Sequence, residues 1–266
     1  MPPDLPLAAS GATVADVIRR CCEEARSIAT GFDRASFELA FKGRGNVVTA
    51  ADTAVEQALI DILHDEFPAH AILAEESQAE TRSDGWMWVI DPIDGTKNFS
   101  VGVPFYSSTI ALCHGGEPVA GGTIDLPRGE FFYAEAGKGL SVDGVATRGS
   151  VATTVYDSVV GMDLGYSSEM GEKLLAAAQK IYPNWQALRI TGSAALGMAQ
   201  CAAGRYDIFL HCYVFPWDIA AGLLLVREGG GKVIRFDRSD ATIEDTTIIC
   251  GSAPVIDDFL NKTGLA

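Results

Sequence analysis

The chain has 266 residues, of which 48% are hydrophobic, enough for one large domain or two closely packed halves. With 35 acidic against 20 basic side chains, the formal net charge is −15, which argues against a nucleic-acid-binding protein. Six cysteines show no CxxC pair or zinc-finger spacing, so we expect free, buried thiols in a reducing compartment. No stretch resembles a signal peptide or reaches the ~18 apolar residues of a membrane span, which predicts a soluble, cytoplasmic protein without a membrane partner.

Two helices are predicted first along the chain. Apolar residues recur at helical spacing over 14–28, behind a cap at Ser10 or Thr13. A second helix is predicted over about 51–66, just before Pro68. Asp52 falls on the apolar face of its first turn, where the helix dipole favours an anion. By position alone, Asp52 is either an ordinary helix cap or an inward-pointing functional group.

Buried strands follow, and acidic residues stand at their ends. A short strand over 71–74 runs into Glu75 and Glu76, and a continuously apolar strand over 86–90 runs into Asp91 and Asp94. Further strands are predicted over 107–112, 121–125, 130–135 and 246–250, and helices over 169–181, 194–203 and 219–228. This predicts a layered α/β (α+β) fold over 1–266, loosely divided near residue 150.

The acidic residues are expected to meet in one pocket. In open sheets, ligand sites lie beyond the strand ends, which would bring Glu75, Asp91 and Asp94 together with Asp218 of the segment FPWDIAAG. Carboxylates this close would raise one another's pKa values unless cations neutralise them. Oxygen ligands without converging histidine or cysteine favour Mg²⁺, Mn²⁺ or Ca²⁺ over zinc.

The turn Asp94-Gly95-Thr96 has features that suit the binding of a phosphate. Glycine lets the backbone approach a ligand, and a turn that opens into a helix presents N–H groups to a phosphate. A metal and a phosphate in one site predict metal-assisted hydrolysis, in which Thr96 could orient the attacking water. Ordinary caps and turn acids remain the alternative, because Asp-Gly is also a common turn sequence.

Three motifs resemble those of the inositol monophosphatase family of magnesium-dependent, lithium-sensitive phosphomonoesterases: LAEES at 73–77, WVIDPIDGTKNF at 88–99 and WDIAAG at 217–222. The match extends to GNVVTAAD at 45–52, ITGSAALGMAQCAAGRYDIF at 190–209 and LLLVREGGGKV at 223–233. The resemblance implies an α-β-α-β-α sandwich, a homodimer, and direct attack by water on the phosphate. Two to three Mg²⁺ ions, or Mn²⁺, are implied in each active site. We expect a metal-site half over about 1–150 and a substrate-rim half over about 151–266.

The resemblance also implies roles for individual residues. The implied metal ligands are four carboxylates and one backbone carbonyl, from Glu75, Asp91, Ile93, Asp94 and Asp218. Glu76 is implied beside the attacking water, and Thr96 and Asp52 resemble the hydrogen-bonded pair that activates it. The expected substrate contacts come from two turns and one further side chain: Asp94, Gly95, Thr96, Gly192, Ser193, Ala194 and His211.

The preferred ester is less clear from the motifs. Inositol-specific members usually carry a glutamate seven residues before the aspartate of the WD motif, where this chain has His211. That departure argues against inositol 1-phosphate as sole substrate, although His211 is alternatively a partly buried polar residue without a role. Lys97 resembles histidinol-phosphate-type members and could meet a second anionic group, whereas Asn98-Phe99 resembles the inositol type.

We therefore expect hydrolysis of a small polyol or sugar phosphate, with inositol monophosphate as the default. Histidinol phosphate, fructose 1,6-bisphosphate and nucleotide 3′-phosphates are the alternatives within the family. From a different class, some family members bind the transcription machinery independently of catalysis. A structural Ca²⁺-binding domain ranks last, because the chain lacks the EF-hand loop pattern.

Overall fold

The computed structural model describes residues 3–32, 40–41, 47–77 and 85–265. Gly45 and Asn46, which begin the GNVVTAAD motif, lie outside these ranges. Seven α-helices occur within them: α1 (Val14–Gly31), α2 (Ala50–Glu66), α3 (Thr96–Val101), α4 (Ser168–Ile181), α5 (Ala194–Ala202), α6 (Pro216–Glu228) and α7 (Ala253–Thr263).

The strands form two large sheets and one small antiparallel pair, β1 (Ala40–Phe41) with β2 (Val47–Val48). A seven-stranded sheet places its strands in chain order: β3 (Ala71–Ala74), β4 (Trp86–Asp94), β5 (Ser107–His114), β6 (Glu117–Asp125), β7 (Phe131–Glu135), β8 (Gly139–Val142) and β9 (Val145–Thr147). Its first two strands are parallel and its other neighbours are antiparallel.

The second sheet has five strands: β10 (Val159–Asp163), β11 (Ala187–Ile190), β12 (Ile208–Cys212), β13 (Lys232–Ile234) and β14 (Thr247–Gly251). Their order across the sheet is β11-β10-β12-β14-β13. The strand β10 runs parallel to both of its neighbours, while β14 runs antiparallel to β12 and β13. The carboxyl ends of β10 and β12 therefore point to the same edge of this sheet.

Helices and sheets alternate in five layers. The strand β4 is buried on both sides, with Trp88 and Ile90 in the core under α1 and α2, and Met87 and Val89 in the core shared with α5 and α6. Helices α5 and α6 lie between the two sheets, and α4 and α7 pack on the outer face of the five-stranded sheet. The predicted α-β-α-β-α fold is thereby confirmed.

Two glycines permit the close packing of the central layer. A Cβ atom at Gly197 of α5 would lie 2.4 Å from the ring of Phe209 on β12. A Cβ atom at Gly222 of α6 would lie 2.6 Å from the sulfur of Met198 on α5. Glycine at these two positions lets both helices approach their neighbours closely. Every residue of α5 is buried as a result.

Several boundaries differ from the sequence prediction. For α1, one of the two predicted caps is correct, because Thr13 exchanges hydrogen bonds with Asp16 in a capping box. The strand β4 does not end at residue 90 but continues to Asp94, because Asp91 still pairs with Thr109 of β5 and the register shifts only after that pair. Helix α6 begins at Pro216, three residues before the predicted start, because the fixed φ of proline suits a first helical turn.

All six cysteines are free and buried, as expected. Among the helices in the described ranges, none is long and apolar enough to cross a membrane. The loose division of the chain near residue 150 stays a prediction.

Candidate active site

A cavity of about 310 Å³ opens where β3, β4, β10 and β12 end. Parallel strands that end at one edge leave a crevice there, which is where open sheets bind ligands. Every residue that the sequence predicts for the site lines this cavity, except Asp52 and Glu76. The predicted convergence of strand-end acids in one pocket is therefore seen in the fold.

Three carboxylates at this edge are close enough to hold a cation together. One oxygen from each of Asp91, Asp94 and Asp218 lies within 4.8 Å of the others. Burial, followed by the charges of Glu75 and Asp94, raises the pKa of Asp91 well above its usual value. Burial, followed by the charge of Asp94, does the same to the pKa of Asp218. This concentration of buried negative charge is unfavourable without a neutralising cation.

A divalent oxygen-seeking cation fits this donor set. The Oδ1 atom of Asp91 is buried and has no hydrogen-bond partner in the part of the chain that the structure describes. A buried carboxylate oxygen without a donor is costly, and a cation would supply the missing partner. Glu75 and Ile93 line the same cavity, so both can add oxygen ligands.

Asp218 reaches the cluster from the first turn of a helix, whereas Asp91 and Asp94 reach it from a strand. It occupies the first turn of α6, where its Oδ2 accepts a hydrogen bond of 2.7 Å from the N–H of Phe215. The capping interaction fixes its side chain, and the helix dipole favours its charge at this position.

Asp94 joins the seven-stranded sheet to the start of α5. Its carboxylate accepts hydrogen bonds from the Ser193 hydroxyl and from the N–H groups of Ala194 at 3.1 Å and Ala195 at 2.9 Å. Burial raises the pKa of Asp94, and these donors oppose the rise. The Ala194 N–H, which the sequence analysis assigned to substrate, is thus bonded to Asp94, while Gly192 and Ser193 line the cavity beside it.

Thr96 and Asp52 form the expected hydrogen-bonded pair. The Thr96 hydroxyl lies 3.0 Å from Oδ1 of Asp52 and 2.9 Å from the carbonyl of Ile93. The other oxygen of Asp52 accepts from the N–H of Thr49 at 2.8 Å and from its hydroxyl at 2.5 Å. Burial raises the pKa of Asp52, and these hydrogen bonds oppose the rise. Asp52 is therefore both a helix cap and a hydrogen-bond partner of Thr96, and its role in the reaction stays a prediction.

The turn between Asp94 and α3 requires glycine. Gly95 has φ +89°, and a Cβ atom there would lie 2.9 Å from the carbonyl of Gly192. The neighbouring Asn98 fixes the same junction, because its Nδ2 donates to the carbonyls of Phe105 and Thr191, both at 2.7 Å. Sequence reasoning assigned Asn98 no structural role, although it lies within the DGTKNF motif. It ties α3 to the loop before α5.

Glu56 is a second residue that sequence reasoning missed. Its side chain is 4% exposed and its two oxygens accept the N–H groups of Glu76 at 2.7 Å and Ser77 at 2.8 Å. These bonds fix the turn that carries Glu75 into the cavity. The available signal was its position four residues after Asp52, on the same inward face of α2.

Asp163 is a third missed residue, at the end of β10. It accepts hydrogen bonds from the N–H groups of Thr191 at 2.9 Å and Gly192 at 2.7 Å, and it lines the cavity. Burial raises its pKa to about 7. An acid after the apolar run VVGM follows the same strand-end pattern as Asp91, so this residue was within reach of the sequence argument.

His211 lies on β12 opposite Asp163 and is buried at the cavity wall. Its Nδ1 lies 2.9 Å from the carbonyl of Cys212, which accepts a hydrogen bond from the ring. Burial lowers the pKa of His211 to about 4, so the ring is neutral at pH 7. Lys97 is exposed and also lines the cavity.

Comparison with known proteins agrees with this arrangement. The model of the inositol monophosphatase family matches residues 8–264. The Nus factor SuhB of Escherichia coli is 34% identical over 225 residues, which cover 84% of each chain. The Nus factor SuhB of Haemophilus influenzae is 32% identical over 248 residues, covering 92% of this chain and 93% of the relative.

Solved structures share the fold over almost the whole chain. An IMPase of Thermotoga maritima superposes with a TM-score of 0.82 at 30% identity, covering 94% of both chains. The extragenic suppressor protein SuhB of Bartonella henselae gives a TM-score of 0.89 at 29% identity, covering 94% of this chain and 98% of that one. With its family motifs gathered in one acidic cavity, the chain belongs to the inositol monophosphatase family.

Proposed function

We propose that this protein hydrolyses a small phosphate monoester with the help of Mg²⁺, and that the alcohol is a polyol or sugar with inositol monophosphate as the default. The observation that carries the proposal is the cluster of Asp91, Asp94 and Asp218, in which one buried carboxylate oxygen has no hydrogen-bond donor in the described ranges. Histidinol phosphate, fructose 1,6-bisphosphate and nucleotide 3′-phosphates require the same chemistry and remain the alternatives.

The acidic side chains have separate tasks in this proposal. Asp91, Asp94, Asp218, Glu75 and the Ile93 carbonyl would hold two to three Mg²⁺ ions, or Mn²⁺. When bound, these ions polarise the phosphate and lower the pKa of a water molecule that attacks it directly. The Thr96 hydroxyl donates to Asp52, which leaves its oxygen lone pairs free to accept a hydrogen bond from the attacking water. Glu76, in the turn after β3, is the second acid proposed to orient that water.

The phosphate itself is proposed to bind beside the Gly95–Thr96 turn. N–H groups in the first turn of a helix have no acceptor within the helix, and they favour an anion. Gly95 and Thr96 both line the cavity, so a phosphate bound there can contact the backbone at this turn. The alcohol part would then extend toward Gly192, Ser193 and His211.

The test is the release of inorganic phosphate from a panel of inositol, histidinol, fructose and nucleotide phosphates in Mg²⁺ buffer. The Asp218→Asn variant keeps an oxygen to cap α6 but loses the charge, so we expect it to be inactive. Asp16→Asn is the matched control, because Asp16 holds the same capping position in α1 far from the cavity. Absence of phosphate release from every ester by the wild type would overturn the proposal for this panel.

A second candidate function comes from the names of the relatives. Proteins called Nus factor SuhB are 32–34% identical to this chain, which supports binding to transcription machinery. That role would not need the charge of Asp218. Co-purification with RNA polymerase that persists in the Asp218→Asn variant would favour it, and loss of binding in that variant would count against an independent role.

Two further expectations belong to the same proposal. We propose that the protein is a homodimer and that lithium inhibits it, both by resemblance to the family. Sedimentation of the pure protein as a monomer would contradict the first. Phosphate release that is insensitive to lithium in Mg²⁺ buffer would contradict the second.

A further inference from the structure

Four aromatic side chains form one side of the cavity, and we call them the aromatic rim: Tyr166, Tyr213, Phe215 and Trp217. We propose that the aromatic rim binds a planar heteroaromatic ring in the alcohol part of the substrate. The protein would then prefer esters such as nucleoside monophosphates over esters without such a ring. This inference rests on the proposed phosphatase function and, among the substrates considered there, favours nucleotides over the inositol monophosphate default.

The rings of the aromatic rim form a continuous series, and its first ring, Trp217, is next to the acidic residue Asp218 in the sequence. Trp217, which precedes the candidate ligand Asp218, stacks on Phe215 with centroids 5.1 Å apart and an interplanar angle of 16°. Phe215 meets Tyr213 at 5.6 Å and 82°, and Tyr213 meets Tyr166 at 6.2 Å and 90°. Because these rings line the same cavity as the acidic cluster, the alcohol part of an ester held there can reach them.

The outer rings of the series remain open to the cavity. Tyr166 is 50% exposed, Tyr213 is 45% exposed and Phe215 is 37% exposed. Large aromatic side chains grouped in a concave site are typical of ligand-binding pockets, where a flat ligand covers their exposed surface. Ring stacking gains both buried apolar area and a favourable arrangement of the π-systems.

The backbone is built to hold these rings in place. Tyr213 has φ +72°, an uncommon and costly conformation for a bulky residue. The N–H groups of Tyr213 and Val214 both donate to the carbonyl of Thr246, at 2.6 and 3.0 Å, and so fix this conformation. A strained residue held by two hydrogen bonds at a pocket edge indicates a required side-chain direction.

The loop that carries Tyr166 is fitted against the same strand end. A Cβ atom at Gly165 would lie 1.8 Å from the carbonyl of Cys212, so only glycine allows this approach. The Cys212 thiol also donates to the carbonyl of Leu164 at 2.9 Å. These contacts bring Tyr166 beside Tyr213 and make one surface from two separate loops.

Several polar groups near the aromatic rim are committed to the protein itself. The Nδ1 of neutral His211 bonds to the Cys212 carbonyl, Asp163 accepts from the Thr191 and Gly192 N–H groups, and the Ala194 N–H donates to Asp94. A polyol needs a partner for each hydroxyl group that it buries, whereas a planar ring needs open faces. The exposed ring faces of Tyr166, Tyr213 and Phe215 therefore favour a planar ring.

The test compares adenosine 3′-monophosphate with glycerol 2-phosphate in Mg²⁺ buffer. We expect a wild-type kcat/KM at least about tenfold higher for the nucleotide, since stacking on one aromatic ring is worth about that much. In Tyr166→Ala this ratio should fall about tenfold, mainly through the KM for the nucleotide. Tyr166→Phe should keep the ratio, because the ring and not the hydroxyl carries the effect.

Tyr156→Ala is the matched control, because Tyr156 is 43% exposed and packs against Lys262 outside the cavity. A wild-type preference for glycerol 2-phosphate, or an equal loss on both esters in Tyr166→Ala, would overturn the proposal. If neither ester is hydrolysed, the proposed phosphatase function is wrong. Calorimetry of adenosine 3′-monophosphate binding then tests separately whether the aromatic rim binds a heteroaromatic ring. Binding that weakens in Tyr166→Ala would support the rim, and absent or unchanged binding would overturn it.

Discussion

The cavity has two sides that are built in opposite ways. On the acidic side, Asp91 and Asp94 are buried at the end of β4, and Asp94 is held by donors from the start of α5. On the aromatic rim, half-exposed rings pack mainly on one another. The acidic side is held by several elements, which suits the reaction step that all esters share. The aromatic rim is more exposed, so its side chains can differ with the alcohol part of the substrate. Changes on the acidic side should therefore affect every ester, and changes on the aromatic rim should affect some esters more than others.

The largest effect is expected for Asp94→Asn. The amide would remove a charged ligand and turn an N–H₂ group toward donors that now bond to the carboxylate, so activity on all esters should fall by about 10³-fold or more. The melting temperature should fall as well, because the start of α5 loses its anionic acceptor. Phosphate release and thermal unfolding measure the two effects. Asp125→Asn, a buried acid at the end of β6, is the control for stability, and equal activity in both variants would contradict the account.

A smaller loss is expected for Thr96→Val, which keeps the shape of the side chain but removes the hydroxyl. If Thr96 orients the attacking water, kcat should fall by about 10²-fold or more on every ester, with little change in KM. Thr96→Ser restores the hydroxyl and should recover most of the rate. A Val variant with wild-type kcat would exclude the Thr96–Asp52 pair from the reaction.

Glu56→Gln should have an intermediate effect that acts through Mg²⁺. Only one oxygen would remain to accept the two N–H groups of the turn that carries Glu75, so the Mg²⁺ concentration for half-maximal activity should rise about tenfold. The matched control is Glu228→Gln, because Glu228 uses both oxygens in the same way on the N–H groups of Gly137 and Gly139. If both variants need the same Mg²⁺ concentration, Glu56 is only structural.

The smallest effect is a pH dependence of stability in metal-free protein. The folded-state pKa of Asp163 is about 7, and those of Asp91, Asp94 and Asp218 are also raised, so these four carboxyl groups bind more protons in the folded than in the unfolded state between about pH 4 and pH 7. They outnumber His211, whose lowered pKa has the opposite effect in this range. The free energy of unfolding should therefore fall as pH rises through this range. Chelation should lower the melting temperature at pH 8 and have less effect at pH 6, where protons replace the cations. Equal melting temperatures with and without chelator at pH 8 would contradict this expectation.

The sequence predicted the acidic side of the cavity better than the aromatic rim for a physical reason. The residues 88–99 encode a buried strand, two acids, a glycine turn and a helix start in one continuous segment, so local patterns suffice. The aromatic rim joins Tyr166 and Tyr213, which lie on different loops and meet only because Gly165 touches the end of β12. Helix periodicity could place Glu56 on the inward face of α2 beside Asp52, but it could not identify the partners of Glu56, which lie about 20 residues away along the chain.

Strand ends showed a similar limit. The apolar run before Asp91 predicted the strand, but the pairing of Asp91 with Thr109 that extends β4 depends on a neighbour formed later in the chain. The strand β12 went unassigned, although its five residues are all buried. Runs of this length fit either a strand or part of a buried helix, and only the pairing with β10 and β14 decides between them.

The most direct test of the acidic cluster as a metal centre is calorimetric titration of metal-free protein with Mg²⁺, for the wild type and for Asp91→Asn. Among the three clustered carboxylates, Asp91 is the one with a buried oxygen that has no hydrogen-bond donor within the described structure, so it should gain most from a cation. We expect Mg²⁺ to bind the wild type, and we expect its affinity for the Asp91→Asn variant to be at least about tenfold lower. Absent binding to the wild type, or equal binding to both proteins, would contradict this account.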